Sequence, residues 1–147
     1  MNKLKLTIGR REIVDFPKLQ LEDIEVKIDT GAYTSSIHCH EVNEVEQNGE
    51  MQLCCQFLDP THLEYNEKEL YFSNYSIKKV RSSNGIVESR YKVKTSILLF
   101  GKEYPIHLTL TERSKMKYSV LIGRRFLQGK FVVDTELLHV SSLISKV

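Results

Sequence analysis

Asp29 is the residue around which a chemistry can be built. It ends an alternating run, Ile24, Val26 and Ile28 set against Asp23, Glu25 and Lys27, and is followed at once by Thr30 and Gly31. A carboxylate delivered by a strand onto a tight turn is placed for acid–base work, and glycine suits the turn because it allows unusual dihedrals and close backbone approach. Hydrolysis of a peptide bond by carboxylates needs a water held between two of them that share one proton, since like charges about 3 Å apart cannot both ionise. One then acts as base and the other as acid. The chain has a single Asp-Thr-Gly, so a catalytic pair of this kind requires a second copy, and such a chemistry would predict a twofold homodimer whose axis passes between two Asp29 side chains. The internal rival, Asp134-Thr135-Glu136, also follows an apolar strand, Phe131-Val132-Val133, but lacks the glycine and reads as a strand end.

Around this loop the same physical logic assigns supporting parts. Thr30 and Ser35 can donate hydroxyl hydrogen bonds that hold the loop and the carboxylate. Leu121-Ile122-Gly123 is a short apolar run expected to pack beneath it, with Gly123 leaving room for the crossing backbone, and Arg124 can tie that support to a nearby carboxylate or carbonyl through forked hydrogen bonds. Tyr33 reads as packing.

Other chemistries are weaker. His38 and His40 lie two apart, so on a regular strand both imidazoles point the same way and can reach one ion. No His-Glu-x-x-His or Cys-x-x-Cys accompanies them, and His62, His107 and His139 are scattered, with His107 on the face opposite Ile106 and Leu108. A zinc-dependent peptidase is therefore a minor alternative, and the expectation is no metal and no cofactor. No Gly-x-x-x-x-Gly-Lys-Ser/Thr loop is present to hold ATP. Cys39, Cys54 and Cys55 are odd in number, and Cys54 and Cys55 alternate in and out of a strand with nothing nearby to activate a thiolate. That usage fits a reduced, cytoplasmic chain.

The 147 residues make one domain, 1–147. With 41% hydrophobic and 27% charged residues the composition is that of an ordinary globular protein, which excludes disorder and fibres. A net charge of +2 is too small to favour nucleic-acid binding, and no apolar run or leader-like N-terminus points to a membrane. Period-two alternation dominates, so the fold class is all-β. Hairpin one joins Ile37–Gln47 to Glu50–Leu58 through Asn48-Gly49, with Met51, Leu53, Cys55 and Phe57 on one face. Asp59 to Glu69 reads as a loop. Hairpin two joins Tyr75–Ser83 to Ile86–Val93 through Asn84-Gly85, and hairpin three joins Val93–Leu99 to Tyr104–Leu110 near Gly101-Lys102. Val120-Leu121-Ile122 is a buried run, Arg124 to Leu127 a single helical turn, and Phe131-Val132-Val133 a strand.

Taken together, Lys27-Ile28-Asp29-Thr30-Gly31-Ala32-Tyr33-Thr34-Ser35-Ser36-Ile37-His38, Arg81-Ser82-Ser83-Asn84-Gly85 with Glu88 and Arg90, and Leu121-Ile122-Gly123-Arg124 resemble aspartic peptidases of the retroviral type. Within these the chain is most similar to the bacterial and archaeal retropepsin-like family once labelled ATP-dependent zinc proteases and associated with ATP-grasp glutamate ligases. The likeness runs from Ile8-Gly9-Arg10-Arg11-Glu12 to Phe131-Val132-Val133-Asp134. It implies a closed acid-protease barrel with hairpins and a short helical turn after Leu-Ile-Gly. It also implies an aspartic endopeptidase with Asp29, Thr30 and Gly31 at the catalytic loop and Ser35, Gly123 and Arg124 in support. Hairpin two becomes a flap, with Ala32, Arg81, Ser83, Asn84, Gly85, Glu88 and Arg90 meeting the substrate; the alternative is a solvated hairpin whose charges protect an edge strand. The implied partners are a second copy of the chain and a peptide or protein substrate, acidic or glutamate-tailed. The rival of another class is a non-catalytic peptide-binding or assembly module on the same fold.

Overall fold

The computed structural model describes residues 4–81, 84–111 and 115–144, so Ser83 lies outside the described residues. The elements are β1 (Leu6–Ile8), β2 (Arg11–Phe16), β3 (Leu21–Asp29), β4 (Ser35–Gln47), β5 (Glu50–Phe57), β6 (Leu70–Phe72), β7 (Tyr75–Arg81), β8 (Val87–Leu99), β9 (Lys102–Thr111), β10 (Val120–Gly123), α1 (Arg124–Leu127), β11 (Phe131–Val133) and α2 (Val140–Ile144). Six of the strands close on themselves in the order β10, β3, β2, β8, β9, β4 and back to β10. Closure pairs strand edges that would otherwise stand open. Period-two alternation sends one face of each strand inward, so Ile24 and Val26, Ile37, Ile97, Leu108 and Ile122 meet in the middle, all buried.

The hairpins follow turn chemistry. Gln47 pairs with Glu50 across Asn48-Gly49, whose φ values of 55° and 81° fit a type I′ turn. Phe100 and Gly101, at 54° and 69°, make the same kind of turn between β8 and β9. β8 differs from expectation in being one strand of 13 residues rather than two segments meeting at Val93. Nothing in Val87–Leu99 breaks a strand, so its first half pairs with β7 and its second with β9. Hairpins two and three therefore share a strand, and hairpin two projects from the ring as a continuation of its wall.

Two parts were not legible from alternation. β1 pairs in parallel with β11 as a separate two-stranded sheet, and α2 packs on β2. Their anchor is Glu12, fully buried, whose carboxylate accepts amide hydrogens from Gly9 at 2.7 Å, Val140 at 3.2 Å and Ser141 at 2.9 Å. Among the described residues no helix is long and apolar enough to cross a membrane.

Candidate active site

Asp29 ends β3, and Gly123 at the end of β10 lies opposite it in parallel register. β10 also pairs with β4 in the opposite sense, Leu121 against Ser36 and Val120 against Ile37. The short apolar strand is thus inserted between the two strands that the Asp29 loop connects. It satisfies backbone groups of both, beside the buried side chains of Val26, Ile28, Ile37, Val120 and Ile122. This insertion holds the loop open in a fixed shape.

Within the loop, the Gly31 amide donates to Asp29 Oδ1 at 2.9 Å and the Ala32 amide to the Asp29 carbonyl at 3.2 Å. One carboxylate oxygen is thereby oriented, and the half-buried side chain is turned toward the loop. Gly31 does not adopt a left-handed φ, contrary to the expectation of unusual dihedrals. Its lack of a side chain serves the carboxylate instead, because a Cβ there would stand 3.2 Å from Asp29 Oδ1.

The support below is tighter. A Cβ on Gly123 would fall 2.6 Å from the Thr34 carbonyl oxygen, so only glycine permits the two backbones to cross. The Gly123 amide donates to Ser35 Oγ at 3.0 Å, and the Arg124 and Arg125 amides donate to the carbonyls of Ala32 at 2.8 Å and Tyr33 at 3.0 Å. The loop therefore caps the first turn of α1, whose amides have no partner inside the helix. Ser35 acts as acceptor toward the backbone of β10, a correction to its expected role as a donor to the loop and carboxylate. Thr30 is exposed and contributes its carbonyl, which accepts from Arg124 Nη1 at 3.3 Å, a single bond rather than a fork. Tyr33 is exposed rather than packed in the core, and its ring lies between charges, its centroid 5.5 Å from the Arg124 guanidinium carbon and 5.6 Å from Lys78 Nζ.

The structure brings Asp29, Thr30, Gly31, Ala32, Ser35, Gly123 and Arg124 into one cluster. The hairpin residues form another. Arg81 donates to the Gly85 carbonyl, Asn84 Oδ1 accepts from the Ile86 amide, and Arg90 pairs with Glu88. In one chain the tie between hairpin two and the Asp29 loop runs through Lys78 and Tyr33, neither of which the sequence singled out as a substrate group. At its base the hairpin is clamped to hairpin one, because Tyr75 and Tyr91 both donate to the Glu44 carboxylate, at 2.7 and 2.8 Å. The Tyr75 bond, then the Tyr91 bond, holds Glu44 below the usual carboxylate range.

His38 and His40 differ in burial, although both lie within electrostatic reach of the Asp59 carboxylate, which stands 3.9 Å from His38 Nε2. A register shift between Cys39 and Glu41 interrupts alternation, so His38 is buried while His40 is exposed edge-on to Tyr65. Among the described residues no three His, Cys, Asp or Glu side chains are grouped to hold one ion. Cys55 is buried and Cys54 half-buried, with burial as the main force raising both thiols, Cys55 to about 12. Asp134 follows β11, its carboxylate accepting the Glu136 amide, and Arg10 donates to the Thr135 carbonyl, so this segment is a strand end and turn.

Comparison with known proteins bears on the family and the fold. Two probable alpha-L-glutamate ligases, from Shewanella halifaxensis and Parasynechococcus marenigrum, are 33% and 30% identical to the chain over 138 and 139 residues. These matches take in 91% and 92% of the chain but 29% of each ligase, so the chain spans under a third of the length of these relatives. A crystal structure of protein Lpg0085 from Legionella pneumophila, of unknown function, superimposes with a TM-score of 0.68 over 94% of this chain and 99% of that one at 24% identity, which is a likeness of fold. Residues 7–142 match the model of the RimB-like family, described as retropepsin-like aspartic endopeptidase RimB, and the chain belongs to that family.

Proposed function

We propose that this chain is one half of an aspartic-type endopeptidase, its active site formed by Asp29 from two subunits. The observation that carries the reading is the loop itself: a carboxylate at a strand end, oriented by the Gly31 amide and mounted on a backbone crossing that only Gly123 permits. Such rigid mounting is what a shared-proton pair demands, since a small displacement of either carboxylate separates them beyond hydrogen-bond reach. With the pair assembled, the ionised member takes a proton from water and the water oxygen attacks the peptide carbonyl. The protonated member then supplies the proton that the leaving nitrogen takes as the C–N bond breaks. Thr30, Gly31 and Ala32 line the floor, and hairpin two covers it, with Arg81, Asn84, Gly85, Glu88 and Arg90 toward the substrate. The ligase names of the relatives favour a protein substrate carrying an acidic or glutamate tail.

The deciding experiment pairs cleavage of a glutamate-tailed peptide with sedimentation of the full chain. Expected are a dimer, turnover by the wild type, and a roughly 10²–10⁴-fold loss in Asp29→Asn with fold and dimer intact. Undiminished turnover by Asp29→Asn defeats the proposal. A stable monomer that binds the peptide without cutting it establishes the binding-module reading instead.

A further inference from the structure

A cavity of about 190 Å³ opens on the outside of the ring, where β7, β8 and β9 meet the backbone leaving the Asp29 loop and α1. Lys92 on β8 pairs with Thr109 on β9, and His107 lies two residues before Thr109 on the same strand. Lys78 enters from β7, Arg125 from α1 and Lys130 from the segment after it, while Pro105 and Phe126 supply an apolar floor. Four permanent cations and a histidine thus converge on one small space whose lining contains no carboxylate.

This convergence is not a by-product of a basic protein, since the whole chain carries only +2. Lys78, Lys92 and Lys130 are half-buried, and among the described residues none of the four cations is in an ion pair. Lys130 is also held in place, its ammonium donating to the Phe126 carbonyl at 2.9 Å. Like charges gathered at a partly desolvated concavity raise the local potential and favour an anion that neutralises several at once. A single carboxylate carries one charge and two oxygens, too little for four cations arriving from four segments, and the carboxylates of an acidic peptide sit on separate side chains that one space of about 190 Å³ does not gather. Three ammonium groups and one guanidinium suit a compact dianion with several terminal oxygens better than a planar carboxylate, which an arginine fork binds best.

We propose that this cavity binds a small multivalent oxyanion of the phosphate class, through Lys78, Lys92, Arg125, Lys130 and His107. The proposal does not depend on whether Asp29 cleaves peptides. His107 is consistent with it: burial, then the charges of Lys92, Arg125, Lys94 and Lys78, hold its imidazole below the usual range, and a bound dianion reverses the charge contribution. Because Thr34 and Ser35 form one wall, occupancy bears directly on the backbone that carries the Asp29 loop.

The test is a titration of the full chain with inorganic phosphate at constant ionic strength, followed by amide and histidine NMR, and repeated with phenyl phosphate and with a glutamate-rich peptide. Saturable shifts at Thr34, His107, Thr109 and Lys130, a rise in the His107 pKa, and at least about tenfold weaker binding by Lys92→Gln are expected. Arg125→Gln, on an exposed position, serves if the first variant does not fold. Tighter binding of phenyl phosphate assigns the ligand to an organic phosphate and equal binding to the free ion; either supports the site. Absence of saturable shifts with phosphate, undiminished binding by a folded variant, or saturation of these amides by the acidic peptide alone overturns the proposal.

Discussion

Gly123 passes directly beneath Thr34, so close that a methyl group on its Cα would lie 2.6 Å from the Thr34 carbonyl oxygen. The contact joins β10 to the chain leaving the Asp29 loop, and the Gly123 amide is satisfied there by Ser35 Oγ. Gly123→Ala must force the two backbones apart and should cost about 1–3 kcal/mol, read as a fall in Tm of roughly 2–10 °C. A wild-type melting temperature in that variant would show that the crossing has slack. Ser35→Ala, which strands a buried amide, should cost a similar amount, about 1–3 kcal/mol.

Glu12 provides a second check on the architecture. Its buried carboxylate receives three amide hydrogens and so ties α2 and the segment around Gly9 to β2. Glu12→Gln turns one acceptor into a donor facing donors, and a loss of about 2–4 kcal/mol is expected in chemical denaturation. Amide exchange should quicken first at Val140 and Ser141, because the rest of the ring does not depend on that carboxylate. Uniform quickening throughout the chain would contradict this local role.

The clamp at the base of hairpin two makes a spectroscopic prediction. The bond to Glu44 raises the Tyr75 hydroxyl to about 12. In Glu44→Gln the acceptor survives but its charge does not, so alkaline titration of tyrosine absorbance should show a group moving back toward 10. Glu44 itself has its folded-state pKa lowered, so its contribution to stability is present above the ordinary value and is lost as pH falls through the lowered folded value. Acid should therefore loosen the attachment of hairpin two to hairpin one, visible as faster amide exchange in 75–81. Insensitivity of that exchange to acid would remove the clamp.

His107 should titrate below the ordinary 6.5 in anion-free buffer, with burial as the first cause and the surrounding cations after it. A lowered folded value means the neutral form is favoured by folding, so stability is intact above the unfolded pKa and falls as the pH drops below it. Lys92→Gln should raise the NMR-observed pKa part of the way back, leaving the burial contribution. No change in that variant would mean that Lys92 does not act on the imidazole.

Much of this molecule was determined by short-range rules written in the sequence. Alternation in Ile24–Ile28 and Tyr104–Leu110 chose strands and their inward faces, and Asn48-Gly49 chose a tight turn, because side-chain period and left-handed dihedrals are local properties. The likeness around Asp29-Thr30-Gly31 and Leu121-Ile122-Gly123 located the loop and its support for the same reason: each motif is contiguous. Tertiary structure decided what depends on partners distant in the chain. The insertion of β10 between β3 and β4, the reversal of Ser35 from donor to acceptor, the burial of His38 beside an exposed His40 at a register shift, and the meeting of Lys78, Lys92, Arg125 and Lys130 around one cavity arise from strand register and crossing. A register shift of one residue exchanges the faces of a whole strand, and no alternation within that strand records which neighbour it will meet.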